Sequence, residues 1–239
     1  MKARKKDKLF HFKQFSVRHD RSGMKVGTDG VLLGAWADLN NTKHILDIGT
    51  GTGVIALTLA QRTKLSTIDA VEIEQEAFED ATENIASSPW SDRIRVHHSP
   101  IQGFNSITQF DLIVSNPPYF QNSFKPPDVK RGVARHSQQL TFTELLNIAI
   151  KFLAPSGKLS IILPYTEGLE FITLASKHNL YCSRKWSFRT RPEKPIERWL
   201  LEFTRMKITA EEGEILLYKK ADEWSDDYKK LTLGFYLKL

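Results

Sequence analysis

The apolar positions of this chain fall into short runs that alternate with segments of helical period. His44-Ile-Leu-Asp47, Thr67 to Glu72, Arg93 to His98 and the run around Ile113 and Val114 read as strands. The short apolar run around Ile113 and Val114 has the character of a buried parallel strand. Val54 to Gln61 and Gln75 to Ala86 carry helical patterns, and Pro89 breaks the second. Thr141-Phe-Thr-Glu144 is a capping box that opens a helix to Leu153. Gly157 is expected to turn the chain into a strand from Leu159 to Leu163. A helix from about Thr166 to His178 then leads to Leu180–Phe188, and Arg198 to Thr204 is the last core strand expected. Repeated strand–helix units predict an α/β fold with a doubly wound, mostly parallel sheet.

Ahead of this core, Phe10, Phe12 and Phe15 make the first residues too aromatic for a simple disordered tail, so a docked arm is expected. Asp29 or Thr28 is placed to cap a helix through Leu32, Leu33 and Trp36, read as a cover over the sheet edge. The expected divisions are a basic arm and covering helix at 1–43, the core at 44–205 and a packed extension at 206–239.

The 239 residues suffice for one α/β domain with appendages. No apolar run approaches the ~20 residues a membrane span needs. The basic N-terminus lacks the apolar segment of a signal peptide. A cytoplasmic protein is expected. Cys182 is the only cysteine, which excludes a disulfide framework and a cysteine-based zinc site. The adjacent His97 and His98 lack a third ligand at metal spacing, so no metal is expected. A net charge of +6 with pI near 9.3 suggests a polyanionic partner.

Two stretches carry candidate chemistry. In the first, Ile48-Gly-Thr-Gly-Thr-Gly53 joins the strand ending in Asp47 to a helix, a loop able to bring backbone close to a nucleotide-type ligand. Gly51, Gly53 and Ala56 also match a relaxed dinucleotide fingerprint. Glu72, 19 positions beyond Gly53, ends the second strand where an acid can accept from ribose hydroxyls, with Glu74 as the rival. A cofactor there would also lie near Lys25, Thr28 and Asp29.

The second stretch is Asp111-Leu-Ile-Val-Ser-Asn-Pro-Pro-Tyr119. Its prolines end the strand at once, because neither can donate to a ladder. Asn116 and the Pro117 carbonyl are two acceptors that together can hold both protons of an amine. Tyr119 offers a stacking face. The plainer alternative is a strand-ending turn. Beyond it, Gln121 to His136 forms a long loop with Lys125, Lys130, Arg131 and Arg135, either a phosphate-holding element or a solvated lid. Arg184 to Trp199 interleaves cations with aromatics, Arg189 and Arg191 among them, a mixture suited to single-stranded nucleic acid. By alternation, half of these side chains should face the core.

LDIGTGTG, the acidic end of VE, and NPPY resemble the class I S-adenosylmethionine-dependent methyltransferases that act on exocyclic or amide nitrogens. KVGTDGVLLGAWA, the later ARH and the FYLK ending are similar to the tRNA1(Val) (adenine-37 N-6)-methyltransferase family over nearly the whole chain. The resemblance implies a Rossmann-like methyltransferase core acting on an adenine amine in a tRNA anticodon loop. It implies that Asp47, Gly49, Gly51 and Gly53 seat the methionine part of the cofactor and Glu72 its ribose. Asn116 and Pro117 would hold the target amine while Tyr119 stacks on the base. Related enzymes often carry an acid after the third strand for the cofactor's adenine. Here Ser99-Pro100 stands in its place, so the Ser99 hydroxyl or a backbone group must substitute. The competing readings are a protein-glutamine methyltransferase, an rRNA base methyltransferase, a dinucleotide-dependent oxidoreductase and an RNA-binding protein without activity.

Overall fold

The computed structural model describes residues 9–21, 26–118 and 140–238. Two short antiparallel strands, β1 (Leu9–His11) and β2 (Ser16–Arg18), precede helix α1 (Thr28–Trp36). The core then runs β3 (His44–Ile48), α2 (Val54–Arg62), β4 (Thr67–Glu72), α3 (Gln75–Ala86), β5 (Ile94–His98) and β6 (Phe110–Ser115). It continues with α4 (Phe142–Phe152), β7 (Leu153–Pro164), α5 (Tyr165–Lys177), β8 (Tyr181–Arg189) and β9 (Arg198–Thr204). The C-terminal part holds β10 (Glu211–Leu216), β11 (Tyr218–Lys220), β12 (Glu223–Trp224) and α6 (Asp226–Thr232).

Eight strands form one sheet in the order β10-β8-β9-β7-β6-β3-β4-β5, with β9 antiparallel to both its neighbours and every other pairing parallel. The doubly wound expectation holds. One apolar cluster joins α1, α2, the end of α3 and the arm over one face. The other joins α4 and α5 over the opposite face. Residues such as Ile45, Leu46, Leu112 and Ile113 are wholly buried because both faces of these strands are covered.

The arm is docked, as its aromatics predicted. Phe12, Phe15 and Val17 are buried, Phe12 stacks on Phe15 with ring centroids 4.5 Å apart, and Phe12 bridges to Tyr236 near the C-terminus. The capping box is also present: the Thr141 hydroxyl accepts from the Glu144 N–H (3.2 Å) and Glu144 accepts from the Thr141 N–H (2.8 Å).

Three expectations need correction. Helix α1 is not an edge cover: it is buried from Gly30 to Trp36 and packs on α2 and β7. Its N-cap is Gly27, without a side-chain cap, because the Asp29 carboxylate accepts instead from Arg198 Nε (2.8 Å). Gly157 does not start a strand but lies inside β7, where a Cβ would come within 2.7 Å of the Phe110 carbonyl oxygen. The β6–β7 register shifts at that close approach. Thirdly, Arg198–Thr204 is not the last strand of the sheet. Strand β10 adds to the edge parallel to β8, joined by Arg184–Glu211, Lys185–Glu212 and Arg189–Glu214 ion pairs.

Gly213 sits in the middle of β10, where a Cβ would meet the Trp186 indole at 2.5 Å. Trp186 is part of the packing beneath, with its ring 6.4 Å from Trp36. Gly213→Ala should therefore push the edge strand off β8. We expect a loss of about 1–3 kcal/mol, as for other overpacking changes, read as a lower midpoint in urea unfolding.

Candidate functional site

Strand β3 has β4 on one side and β6 on the other, and the chain order reverses between β3 and β6. In an open α/β sheet a ligand crevice forms at such a reversal, outside the carboxyl ends of the strands. Here Ile48 pairs with both Val71 and Ser115, so the next residues, Glu72, Gly49 and Asn116, follow in one row at the carboxyl edge. The Ser115 hydroxyl donates to the Ile48 carbonyl (2.9 Å), tying the end of β6 to the end of β3.

The loop after β3 has positive φ at Gly49 (70°), Gly51 (58°) and Gly53 (82°), a conformation that favours glycine. At Gly49 and Gly51 no atom lies within 4 Å of where a Cβ would stand. The loop is held from behind. Val71 O accepts from the N–H groups of Gly49 (2.9 Å) and Thr50 (3.1 Å), and Gly51 N–H donates to Glu72 Oε2 (2.8 Å). The other Glu72 oxygen accepts from the Ile73 and Glu74 N–H groups at 2.8 and 2.9 Å. Glu72 thus props the glycine loop as well as ending β4 beside it. Its rival Glu74 is exposed and stands at the N-cap position of α3 without a side-chain cap.

Asp47 is completely buried beneath this loop. The Thr50 hydroxyl donates to its Oδ2 (2.6 Å), whereas Oδ1 has no hydrogen-bond partner. Burial pushes its carboxyl up to about 7, and the Glu72 charge adds to this; Thr50 and the Ala56 N–H act in the opposite direction. Two carboxylates side by side, one with an orphaned oxygen, form a receptor for positive charge. The glycine cradle above them has room for backbone-hugging ligand atoms. The donor set therefore fits a cofactor with a cationic amino-acid moiety and a ribose.

The other candidates vary in position. Thr28 starts α1, whose Gly30 lies against Val54 at the head of α2, so Thr28 stands near the exit of the glycine loop. Ser99 follows β5, and its N–H is already committed to the Glu72 carbonyl (3.0 Å). Asn116 is half-buried, Pro117 buried and Pro118 exposed. Lys25, Tyr119, Lys125, Lys130, Arg131 and Arg135 lie outside the described residues. Arg189 and Arg191 reach the same carboxyl edge but have partners within the chain. Arg189 Nε pairs with Glu214 (2.8 Å), while Arg191 bonds Asp222 (2.9 Å) and the Ala221 carbonyl and lies 5.2 Å from the Tyr218 ring centre. The two histidines are not simply solvated: His97 bonds Asp69 (2.6 Å), and His98 bonds the Ile73 carbonyl (3.0 Å) and stacks on Phe78. Among the described residues no group of three or more His, Cys, Asp or Glu could hold a metal ion, and no helix is long and apolar enough to cross a membrane.

Sequence reasoning passed over Asn84. Its side chain accepts from the Arg18 N–H (2.7 Å) and donates to the carbonyls of Arg18 and Thr52 (both 2.9 Å), so it joins the arm to the glycine loop. The signal was available. Asn84 is a polar residue on the buried stripe Ala77–Ala81–Asn84–Ile85 of α3. A shallow groove of about 740 Å³ also lies along the arm, lined by Phe12, Phe15, Arg18 and Ser87 among others, but it includes none of the candidate residues.

Residues 23–179 match the methyltransferase small domain family. Across 97% of this chain and 100% of the relative, it is 44% identical to the tRNA1(Val) (adenine(37)-N6)-methyltransferase of Flavobacterium psychrophilum. A protein of that same name from Bacteroides fragilis is 45% identical over 97% of this chain and 98% of its own length. The chain belongs to the tRNA1(Val) (adenine(37)-N6)-methyltransferase family. Solved structures agree on the fold. A predicted O-methyltransferase from Agrobacterium tumefaciens superposes with a TM-score of 0.64 over 87% of this chain and 96% of that one, at 20% identity. The glycopeptide N-methyltransferase MtfA, complexed with S-adenosylmethionine, does so with a TM-score of 0.53 over 75% of this chain and 96% of its own, at 11% identity. Both are class I methyltransferase folds, and the family membership makes this chain a methyltransferase.

The buried Asp47 generates a prediction with a definite sign. Its folded value of about 7 lies above the ordinary carboxyl value, so the native state loses stability as pH rises from about 4 to 7. An asparagine side chain at this position mimics the protonated form. Asp47→Asn should therefore gain on the wild type across that window, by up to a few kcal/mol above pH 7, in urea unfolding at several pH values. The same variant should lose affinity for a cofactor bearing an ammonium group. An equal change at pH 4 and pH 8 would contradict this.

Proposed function

We propose that the chain methylates the exocyclic N6 of adenine 37 in tRNA1(Val), with S-adenosylmethionine as methyl donor. The observation that supports this reading is the row Glu72–Gly49–Asn116, in which the Asn-Pro-Pro end of β6 lies beside the glycine loop. The relatives at 44–45% identity over almost the full chain carry that activity in their names, which supports the same substrate here.

S-adenosylmethionine supplies an electrophilic methyl group on a sulfonium. Asp47 and the loop Gly49–Gly53 would hold its amino-acid moiety and Glu72 its ribose, with Thr28, Ser99 and Lys25 as the further candidates for its binding. Asn116 accepts from one proton of the adenine amine and the Pro117 carbonyl from the other. Held so, the nitrogen lone pair leaves conjugation with the ring and points toward the methyl group. No strong general base is needed, because the electrophile is cationic and the work is alignment. Tyr119 stacks on the extruded base, whose unstacking costs a few kcal/mol.

The polyanion is drawn by positive charge concentrated in two segments of the sequence. Residues 1–8 and 119–139 carry nine Lys or Arg against two Asp, more excess positive charge than the whole chain's net +6. Lys125, Lys130, Arg131 and Arg135 belong to the second segment and serve as phosphate contacts in this reading. Arg189 and Arg191, with acidic partners in the described structure, contribute less.

Asn116 provides the sharpest test of the site. Asn116→Ala should leave S-adenosylmethionine affinity nearly unchanged in calorimetry and lower single-turnover methylation of tRNA by on the order of 10²–10³. Asn116→Asp keeps an acceptor and should retain more activity than alanine. A loss under tenfold would make Asn116 a turn residue. Wild-type protein that binds NAD and not S-adenosylmethionine would sink the methyltransferase reading altogether.

Salt dependence tests the phosphate contacts. Each phosphate neutralised on a single strand adds about −0.7 to the slope of log affinity against log salt. Lys130→Ala combined with Arg131→Ala should weaken tRNA binding and flatten that slope, with cofactor affinity unchanged. An unaltered slope would make the segment a lid without phosphate contacts.

A further inference from the structure

Among the described residues, Leu65, Ile107, Met206 and Ile208 are exposed at the edge of the sheet opposite the site, because they precede β4 and β6 or follow the reversed strand β9. Leu233 and Leu237 lie near the end of α2 and the arm, with Gly234 bonded to Gln61 and Tyr236 bridged to Phe12. Tyr165 and Leu169 differ. Tyr165 directly follows Pro164, the last residue of β7, and so stands at the carboxyl edge with 44% of its surface exposed; Leu169, one turn along α5, is 40% exposed.

The Tyr165 ring is not loose. It stacks on Trp199 with centroids 5.9 Å apart and planes 28° apart, and Trp199 is itself only 8% exposed. Beneath, Trp199 is clamped on two further sides. Lys185 Nζ lies 5.1 Å from its ring centre, and a Cβ at Gly168 would come within 2.7 Å of it, so the first turn of α5 packs flat against the indole. A half-exposed aromatic fixed in this way presents a preoriented face to solvent. Strand β7 is the immediate neighbour of β6, and Ile161 pairs with Ser115. Tyr165 thus stands about three residue rises, or ~10 Å, further out than Asn116 on the adjoining strand.

We infer that Tyr165, backed by Trp199, is a stacking platform for a nucleotide of single-stranded RNA next to the one whose base enters the Asn116 pocket. This rests on the proposed function and extends it to a positioning residue. Extruding a base leaves its neighbours without a stacking partner on one side. An aromatic face beside the pocket replaces that partner, and stacking on such a face tolerates any base identity. Tyr165 is not among the residues assigned to the cofactor or the amine, so its contribution belongs to RNA binding.

The test is steady-state methylation of the tRNA with Tyr165→Ala, Tyr165→Leu, Tyr165→Phe and Tyr165→Trp. Alanine should raise KM for tRNA by about tenfold to a hundredfold, with kcat and the KM for S-adenosylmethionine within about threefold of wild type. Leucine keeps apolar contact with Trp199 but offers no flat ring, so it should resemble alanine. Phenylalanine and tryptophan should restore the wild-type KM. An unchanged KM in the alanine or leucine variant, or no rescue by the aromatics, overturns the platform. Wild-type protein that methylates no tRNA overturns the functional reading, and the platform with it. Active wild type with an indifferent Tyr165 overturns the platform alone.

Discussion

The parallel pairing of β3 with β4 on one side and β6 on the other is the constraint on which the site depends. Ile48 is the shared rung, paired with Val71 and with Ser115, and the Ser115 hydroxyl adds a bond to the Ile48 carbonyl. A slip of one residue in either pairing would turn every side chain to the opposite face. It would also move Asn116 or Glu72 out of line with the glycine loop. Such a slip is opposed by the burial of both faces, since Ile45, Leu46, Leu112 and Ile113 each have a place in one of the two apolar clusters. The accuracy of the chemistry at the edge is inherited from the packing below it.

That edge is held in an unfavourable state. Asp47 is buried beneath the glycine loop with an oxygen lacking a hydrogen bond. A buried carboxyl so placed destabilises a protein and persists where the surroundings hold it. Here the surroundings are Glu72, which accepts from the Gly51 N–H, the Val71 carbonyl, which accepts from Gly49 and Thr50, and Asn84, which binds the Thr52 carbonyl. Asn84 also carries the arm on the same side chain, so the first strands of the chain and the glycine loop share an anchor.

Charge is divided in a similar way. The cations of β8 face acids of β10 in near-continuous pairs, Arg184 with Glu211, Lys185 with Glu212 and Arg189 with Glu214. These pairs hold an added strand to the sheet and use up positive charge that, in the sequence, had the composition of a nucleic-acid surface. Arg184 also lies 4.2 Å from the Trp36 ring centre, and of the interleaved aromatics Phe188 and Trp199 are buried. Residues 1–8 and 119–139 carry nine further Lys or Arg against two Asp.

Most of the sheet was legible in the sequence because each strand is a local pattern. Thr67–Glu72, Gln75–Ala86 and Arg198–Thr204 begin and end where apolar runs, caps and prolines put them. The glycine loop and the Asn-Pro-Pro strand end were legible for the same reason, since each residue type there answers to a backbone or chemical demand of its own. What the sequence could not determine was anything that depends on a partner distant along the chain. Strand β10 opens on Glu211, Glu212 and Glu214, interrupted by Gly213, and reads as a solvated segment until Arg184, Lys185 and Arg189 stand opposite and Trp186 fills the space a side chain would need. Asp29 reads as a cap until Arg198, 169 positions away, claims it. Tyr165 reads as an ordinary helix start until Trp199 is found beneath it. Propensity and spacing act over a few residues, whereas ion pairs, ring stacks and close approaches act between strands that only the folded sheet brings together.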